Sequence, residues 1–263
     1  MARLASASDE RRLYTAALLL FSLCAGWTAW MAIDMGGGMP MPGGWQMSMA
    51  WMPMDGQGWL ATATMFVGMW LAMMVAMMLP SALPMLLLYR RLQRFRGAAA
   101  AERDTALVAA GYFVVWTGFG VVAFCAGVAI TQAAMQSRSL SQAVPLLTAL
   151  GLLLAGLWQF TPWKSACLAH CRDPLPDISR ARGGALGAWR LGLSHGAFCA
   201  GCCWGIMLVQ LGLGVMNLAL MIALAGWIAL EKLTRFGPQL QRLGGGAMVL
   251  LGLGLGLRHS GLV

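Results

Sequence analysis

Seven stretches of the chain, 13–33, 59–88, 105–134, 144–163, 191–213, 217–233 and 243–257, are apolar runs almost free of charge. No other feature constrains the fold as much. A bilayer core of about 30 Å is crossed by about 20 apolar residues of helix, and lipid offers no partner to an unpaired peptide group. Of the 263 residues 59% are hydrophobic and 10% charged, and the mean hydropathy is +0.70. A soluble domain averages about 45–50% apolar and about 25% charged. The expected fold is therefore all-α, one integral membrane domain over 1–263, a polytopic bundle of about seven transmembrane helices. A soluble fold, a disordered chain and a disulfide scaffold are excluded, the last because 7 Cys are too few for this length. The first run is too long for the apolar core of a signal peptide, and no small-residue cleavage site follows it cleanly.

The net charge of +9 has a membrane explanation. With the N-terminus inside, sixteen Lys and Arg fall in inner segments, and only Arg138 and Arg258 fall outside. That bias fixes the expected orientation as N-terminus cytoplasmic. Nucleic acid is not an implied partner; the bilayer is.

Methionine is distributed unevenly. Fifteen of the 21 lie between Met31 and Met85. The outer loop 34–58 carries Met35, Met39, Met41, Met47, Met49, Met52 and Met54, and its Gly and Pro content argues against helix. A thioether is a neutral, soft ligand that selects Cu(I) over harder ions. The competing reading is an interfacial loop whose Met and Trp sit among the headgroups. In the second run Met65, Met69, Met73 and Met77 step by four and form a ridge, with Met74 and Met78 beside it. This ridge is either a soft-metal conduit or ordinary core packing, and the spacing alone leaves both open. Pro80 and Pro84 follow and are expected to kink the helix.

The most specific pattern is a pair of Cys/His segments, 164–172 and 194–204. If the first is helical, Cys167, His170 and Cys171 share a face. In the second, His195, Cys199, Cys202 and Cys203 fall at i, i+4, i+7 and i+8, again one stripe. Both are expected at the cytoplasmic ends of consecutive helices. Thiolate and imidazole suit Cu(I) and Zn. Lys164, Arg172 and Arg190 lie near enough in sequence to favour thiolates. Gly192, Gly196 and Ala200 make a small-residue ridge expected to let the helix before approach closely. The alternative is buried structural thiols with no metal. Glu231-Lys232 reads as an interfacial pair, with a role beside the Cys/His site as the second reading. No hydrolase elbow, P-loop, dinucleotide fingerprint or paired intramembrane carboxylate is present, so no enzymatic activity is expected.

Three runs carry a resemblance: Met69 through Ser81; Trp158 through Lys164 with Cys167, His170, Cys171 and Arg172; and Gly192 through Trp204. With Leu230-Glu231-Lys232 they resemble the bacterial family of predicted metal-binding integral membrane proteins, sometimes labelled copper chaperone, over roughly 60–235. The resemblance implies a bacterial inner-membrane protein with a metal site at those Cys and His positions, and no established mechanism. A looser similarity of parts is to Ctr-type copper importers.

The expected metal ligands are thus Cys167, His170, Cys171, His195, Cys199, Cys202 and Cys203, with Met69, Met73 and Met77 in the membrane and Met39, Met41, Met47 and Met49 outside. The expected ion is Cu(I), with Zn as the alternative. The expected function is capture of a soft metal and its transfer or transport across the membrane. The alternatives are a metallochaperone serving a cuproenzyme, or a metal-dependent membrane oxidoreductase. Partners would be the metal ion, the bilayer, and a copper chaperone or cuproenzyme.

Overall fold

The computed structural model describes residues 2–34, 37–53, 56–181 and 183–259, with side chains from Glu10 onward. The apolar runs become helices α1 (Ala2–Asp34), α2 (Trp59–Phe95), α3 (Ala101–Gln136), α4 (Arg138–Trp158), α7 (Ala185–Leu213), α8 (Leu218–Leu233) and α9 (Gly237–His259). Two short helices, α5 (Pro162–Arg172) and α6 (Leu175–Arg180), lie between α4 and α7. Among the described residues six helices are long and apolar enough to cross a membrane: α1 over Glu10–Asp34, α2, α3, α4, α7 and α9. The run expected to span at 217–233 does not reach that length. As the 16-residue α8 it rises about 24 Å, short of a hydrocarbon core.

The outward faces fit lipid. Leu146, Leu147, Leu150, Leu154 and Leu157 stand exposed along α4, and Leu250, Leu251, Leu253 and Leu257 along α9. A water-soluble monomer rarely tolerates apolar surface on that scale. The protein is a membrane protein on this evidence. At the centre stands α2, with 61% of its apolar span buried against 17% for α1. Pro80 and Pro84 lie inside α2 without ending it.

Close approach of α3 and α7 depends on glycine. A Cβ on Gly111 would sit 2.7 Å from the Trp189 carbonyl oxygen, one on Gly196 would sit 2.9 Å from that of Tyr112, and one on Gly192 would overlap that of Val108. The small-residue ridge of α7 therefore receives α3, not α4, the apolar run expected to meet it. Helix α4 instead meets α7 further along, where Ala155 touches Gly205 and Trp158 Nε1 donates to the Gly201 carbonyl at 3.1 Å. It also packs along α9.

Each end of the bundle has its own tie. At the arginine-rich end, Glu102 of α3 accepts from Arg90 at 2.7 Å and from Arg94, and Arg91 pairs with Glu10 of α1 at 2.8 Å. At the other end the described part of the outer loop, 37–53 and 56–58, holds a hairpin and a short 3₁₀ turn but no α-helix. Strands β1 (Gly38–Met41) and β2 (Trp45–Ser48) pair antiparallel, with Met39 opposite Met47 and Met41 opposite Trp45. The reversal uses Gly43 and Gly44 at φ +102° and +75°, values that a side chain disfavours. The hairpin is fastened to α4 by Trp45 Nε1 donating to the Ser141 carbonyl at 2.9 Å and Ser141 Oγ donating to that of Pro42 at 2.7 Å. A 3₁₀ turn (Met49–Trp51) leads on towards α2.

Candidate metal centre

Helix α4 stops at Trp158, and the chain restarts at Thr161-Pro162. The Thr161 hydroxyl accepts from the Lys164 amide at 3.3 Å, and Pro162 at the first helical position costs no hydrogen bond. This break tips α5 against the middle of α7, so that Lys164, Cys167 and Cys171 face it. Cys199 lies fourteen residues beyond Ala185, and Cys203 ten short of Leu213. The thiol stripe is thus at mid-helix and not at a helix end, a correction to the expected placement.

Three sulfurs meet there. The Sγ atoms of Cys171, Cys199 and Cys202 lie within 4.8 Å of one another. Cys171 Sγ is 3.8 Å from that of Cys202, which is 3.4 Å from that of Cys203. Cys199, Cys202 and Cys203 are fully buried. Lys232, near the end of α8, donates from Nζ to Cys199 Sγ at 2.8 Å, and Tyr112 Oη lies 2.9 Å from the same sulfur. A second lysine, Lys164, donates to the Cys202 carbonyl and pairs with Glu231 Oε1 at 2.8 Å. Lys164 and Glu231 are both fully buried, and Glu231 Oε2 has no hydrogen-bond partner among the described residues. Arg172 closes the end of α8 by donating to the Glu231 and Thr234 carbonyls, the former at 2.8 Å.

The charge arithmetic of this arrangement is legible. Lys164 and Glu231 cancel, leaving Lys232 as the ammonium facing the sulfurs. A monovalent ion on two thiolates carries one net negative charge, which one ammonium neutralises. Unbalanced charge in an apolar interior is costly, so a single facing ammonium would favour two thiolates over three beside a monovalent ion. Three soft, close sulfurs suit a low-coordinate soft ion.

Not every expected ligand joins the three. Cys167 packs against Gly201, where a Cβ would meet its sulfur at 3.0 Å. His170 keeps Nδ1 on its own turn at 2.9 Å from the Ala166 carbonyl and stacks on Phe198 at 4.1 Å. His195 is buried against the Tyr112 ring at 5.9 Å and lines a small cavity with Met85 and Val108. Met69, Met73 and Met77 are buried in the same core as Cys199, Cys202 and Cys203, among Trp70, Trp116 and Phe66. Of the hairpin methionines Met47 is buried, Met39 is exposed and Met41 and Met49 are intermediate. Met35 and Met54 lie outside the described residues.

Glu231 and Lys232 are only secondary candidates by sequence, and Tyr112 is not a candidate at all. For the first two a signal existed: ionisable residues next to an apolar run more than a dozen residues long deserve a buried partner by default. Tyr112 carries no such mark. Arg172, expected to act on the thiols, serves the helix end instead.

A family model described as copper chaperone matches residues 67–255, well over half of the chain. That stretch holds Cys171, Cys199, Cys202, Lys164, Glu231 and Lys232, and leaves out α1 and the methionine hairpin. No curated protein matches, and no solved structure does.

Proposed function

The chain belongs to the copper chaperone family, and from that premise we propose that it carries Cu(I) within the bilayer on the sulfurs of Cys171, Cys199 and Cys202, two of them as thiolates, and hands it to a copper-requiring protein. The observation that carries this reading is the three-sulfur group with the Lys232 ammonium on one of its members. A carrier must hold its ion against water yet release it to another thiol-bearing site. A buried, low-coordinate thiolate set serves both needs, because an incoming ligand can add to a Cu(I) ion that keeps open coordination positions. Zn would ask for a fourth ligand, and Cys203 beside Cys202 is the nearest candidate. The orientation that goes with the proposal places the arginine-rich end in the cytoplasm of a bacterium, with the hairpin outside. The role is that of a carrier and not of an enzyme.

One observation favours transport as a second reading. The methionines of α2 from Met69 to Met78 share a single buried core with the thiols, a run of about 14 Å along that helix. Uptake would then be a property of the same thiol centre, loaded from the hairpin end.

Elemental analysis of the anaerobically purified protein tests the proposal. Wild type is expected to retain copper, and Cys171→Ser/Cys199→Ser/Cys202→Ser to lose it. Zinc in place of copper, or copper equal in both, would overturn the reading. Total cellular copper in cells carrying the cysteine variant separates the two roles: loss of a chaperone leaves it unchanged while the partner enzyme stays unmetallated, whereas loss of a transporter lowers or raises it.

A further inference from the structure

At the hairpin end a small cavity lies between the last turns of α1, the 3₁₀ turn and the start of α2. Five of its nine lining residues are methionines: Met31, Met49, Met52, Met65 and Met69. None of the nine is charged, and none is Cys or His. The five come from three separate segments that the fold brings together, and only Met65 and Met69 are neighbours on one helix face, at i and i+4.

Met31 and Met69 are buried in the same core as Met73, Met74 and Met78, but the other three open toward the hairpin end: Met65 is 45% exposed and Met49 and Met52 are half-buried. An ion could therefore reach the cavity from the hairpin end. The turn that supplies Met49 and Met52 is also clamped in place. Trp51 packs at a tilt against Phe66, ring centroids 4.9 Å apart, and occupies the space where a Cβ on Gly127 of α3 would fall. The thioethers of the turn are thus presented to α2 by a rigid wedge, and a preorganised ligand set loses less ordering entropy on binding.

We infer that this cavity is a second soft-metal site, built from thioethers alone and selective for a monovalent ion of the Cu(I) type. Neutral ligands leave the ion its full positive charge, which limits affinity and keeps exchange fast. At the thiol centre the same ion is neutralised by thiolates. Affinity therefore rises from the cavity toward α7, which makes the cavity a loading site. The ion assigned here rests on the copper reading above, but the site does not depend on the thiol centre. Of the outer-loop methionines singled out by sequence Met49 and Met52 belong to it, Met65 and Met69 come from the ridge of α2, and Met31 joins from α1.

The test is the stoichiometry of Ag(I), a redox-stable probe for thioether sites, on the full-length protein in detergent. It compares wild type, Met31→Leu/Met65→Leu/Met69→Leu and Cys171→Ser/Cys199→Ser/Cys202→Ser. Leucine keeps the apolar volume and removes the sulfur. The methionine variant is expected to bind one equivalent fewer than wild type, and the weaker one. The cysteine variant is expected to keep that weaker equivalent. Equal stoichiometry in wild type and the methionine variant would overturn the site. If the methionine variant loses an equivalent while the cysteine variant loses none, the cavity stands and the thiol reading falls. A monodisperse elution profile and unchanged helical circular dichroism confirm that each variant is folded, and Met49→Leu/Met52→Leu provides an independent second variant with the same expected loss.

Discussion

At the middle of α7 three thiols are held among two lysines, a glutamate and a tyrosine, whereas at the hairpin end five thioethers line a cavity with no charged group. The contrast follows from ligand chemistry. Thiolate is an anion, and an anion at mid-helix needs a counter-charge within hydrogen-bond reach, which Lys232 supplies at 2.8 Å. Lys232 must in turn be brought there, and α8 does this: a 16-residue helix whose last turn ends against α5 and α7. Thioethers impose no such demand, so the hairpin end is built from a turn, a helix end and an aromatic wedge. One region is held together by charge and the other by shape.

Substitutions can break that contrast, and the largest effect is expected at the buried ion pair. Lys164→Met leaves the Glu231 carboxylate at mid-bundle without its cation and is expected to cost about 3–5 kcal/mol of stability. Lys164→Met/Glu231→Leu is expected to recover most of it, with thermal unfolding in detergent as the measurement. Equal losses in the single and double variants would show that the pair is not what the lysine serves. Next comes Lys232→Met, which keeps the side-chain volume and removes the ammonium facing Cys199. Supporting groups of this kind are typically worth about 10–100-fold in metal affinity, and competition with a Cu(I) chelator would show it. Unchanged affinity would break the claim that the thiol centre depends on charge.

Smaller effects sharpen the comparison. Tyr112→Phe removes one hydroxyl beside Cys199 and is expected to weaken Cu(I) binding by about fivefold, near 1 kcal/mol for one hydrogen bond. The smallest change is expected at the hairpin end, where Met65→Leu/Met69→Leu should alter stability by less than about 1.5 kcal/mol, since volume is conserved. A large destabilisation there would mean that the thioethers are core packing after all.

Much of the fold could be read from the chain before the structure. Long uncharged runs can only be helices in lipid, and the i, i+4, i+7 and i+8 spacing of His195, Cys199, Cys202 and Cys203 placed them on one stripe of what is indeed α7. Depth was not legible. Periodicity says which face a residue occupies but not how far along the bundle its helix is engaged, and so the thiols were expected near a helix end. Nor could the sequence say which helix the Gly192/Gly196 ridge receives, because small residues mark a close approach without marking the partner. The cavity was hidden for a related reason: Met31, Met49 and Met65 lie far apart in sequence, and only the folded hairpin end makes them neighbours.

The most direct test of the thiol centre is copper K-edge X-ray absorption on the anaerobic protein loaded with Cu(I), in the Met31→Leu/Met65→Leu/Met69→Leu background so that one site remains. A first shell of two or three sulfurs with no nitrogen, abolished by Cys199→Ser/Cys202→Ser, is the predicted result. Imidazole scattering from His170 or His195, or a spectrum unchanged by loss of the two cysteines, would contradict it.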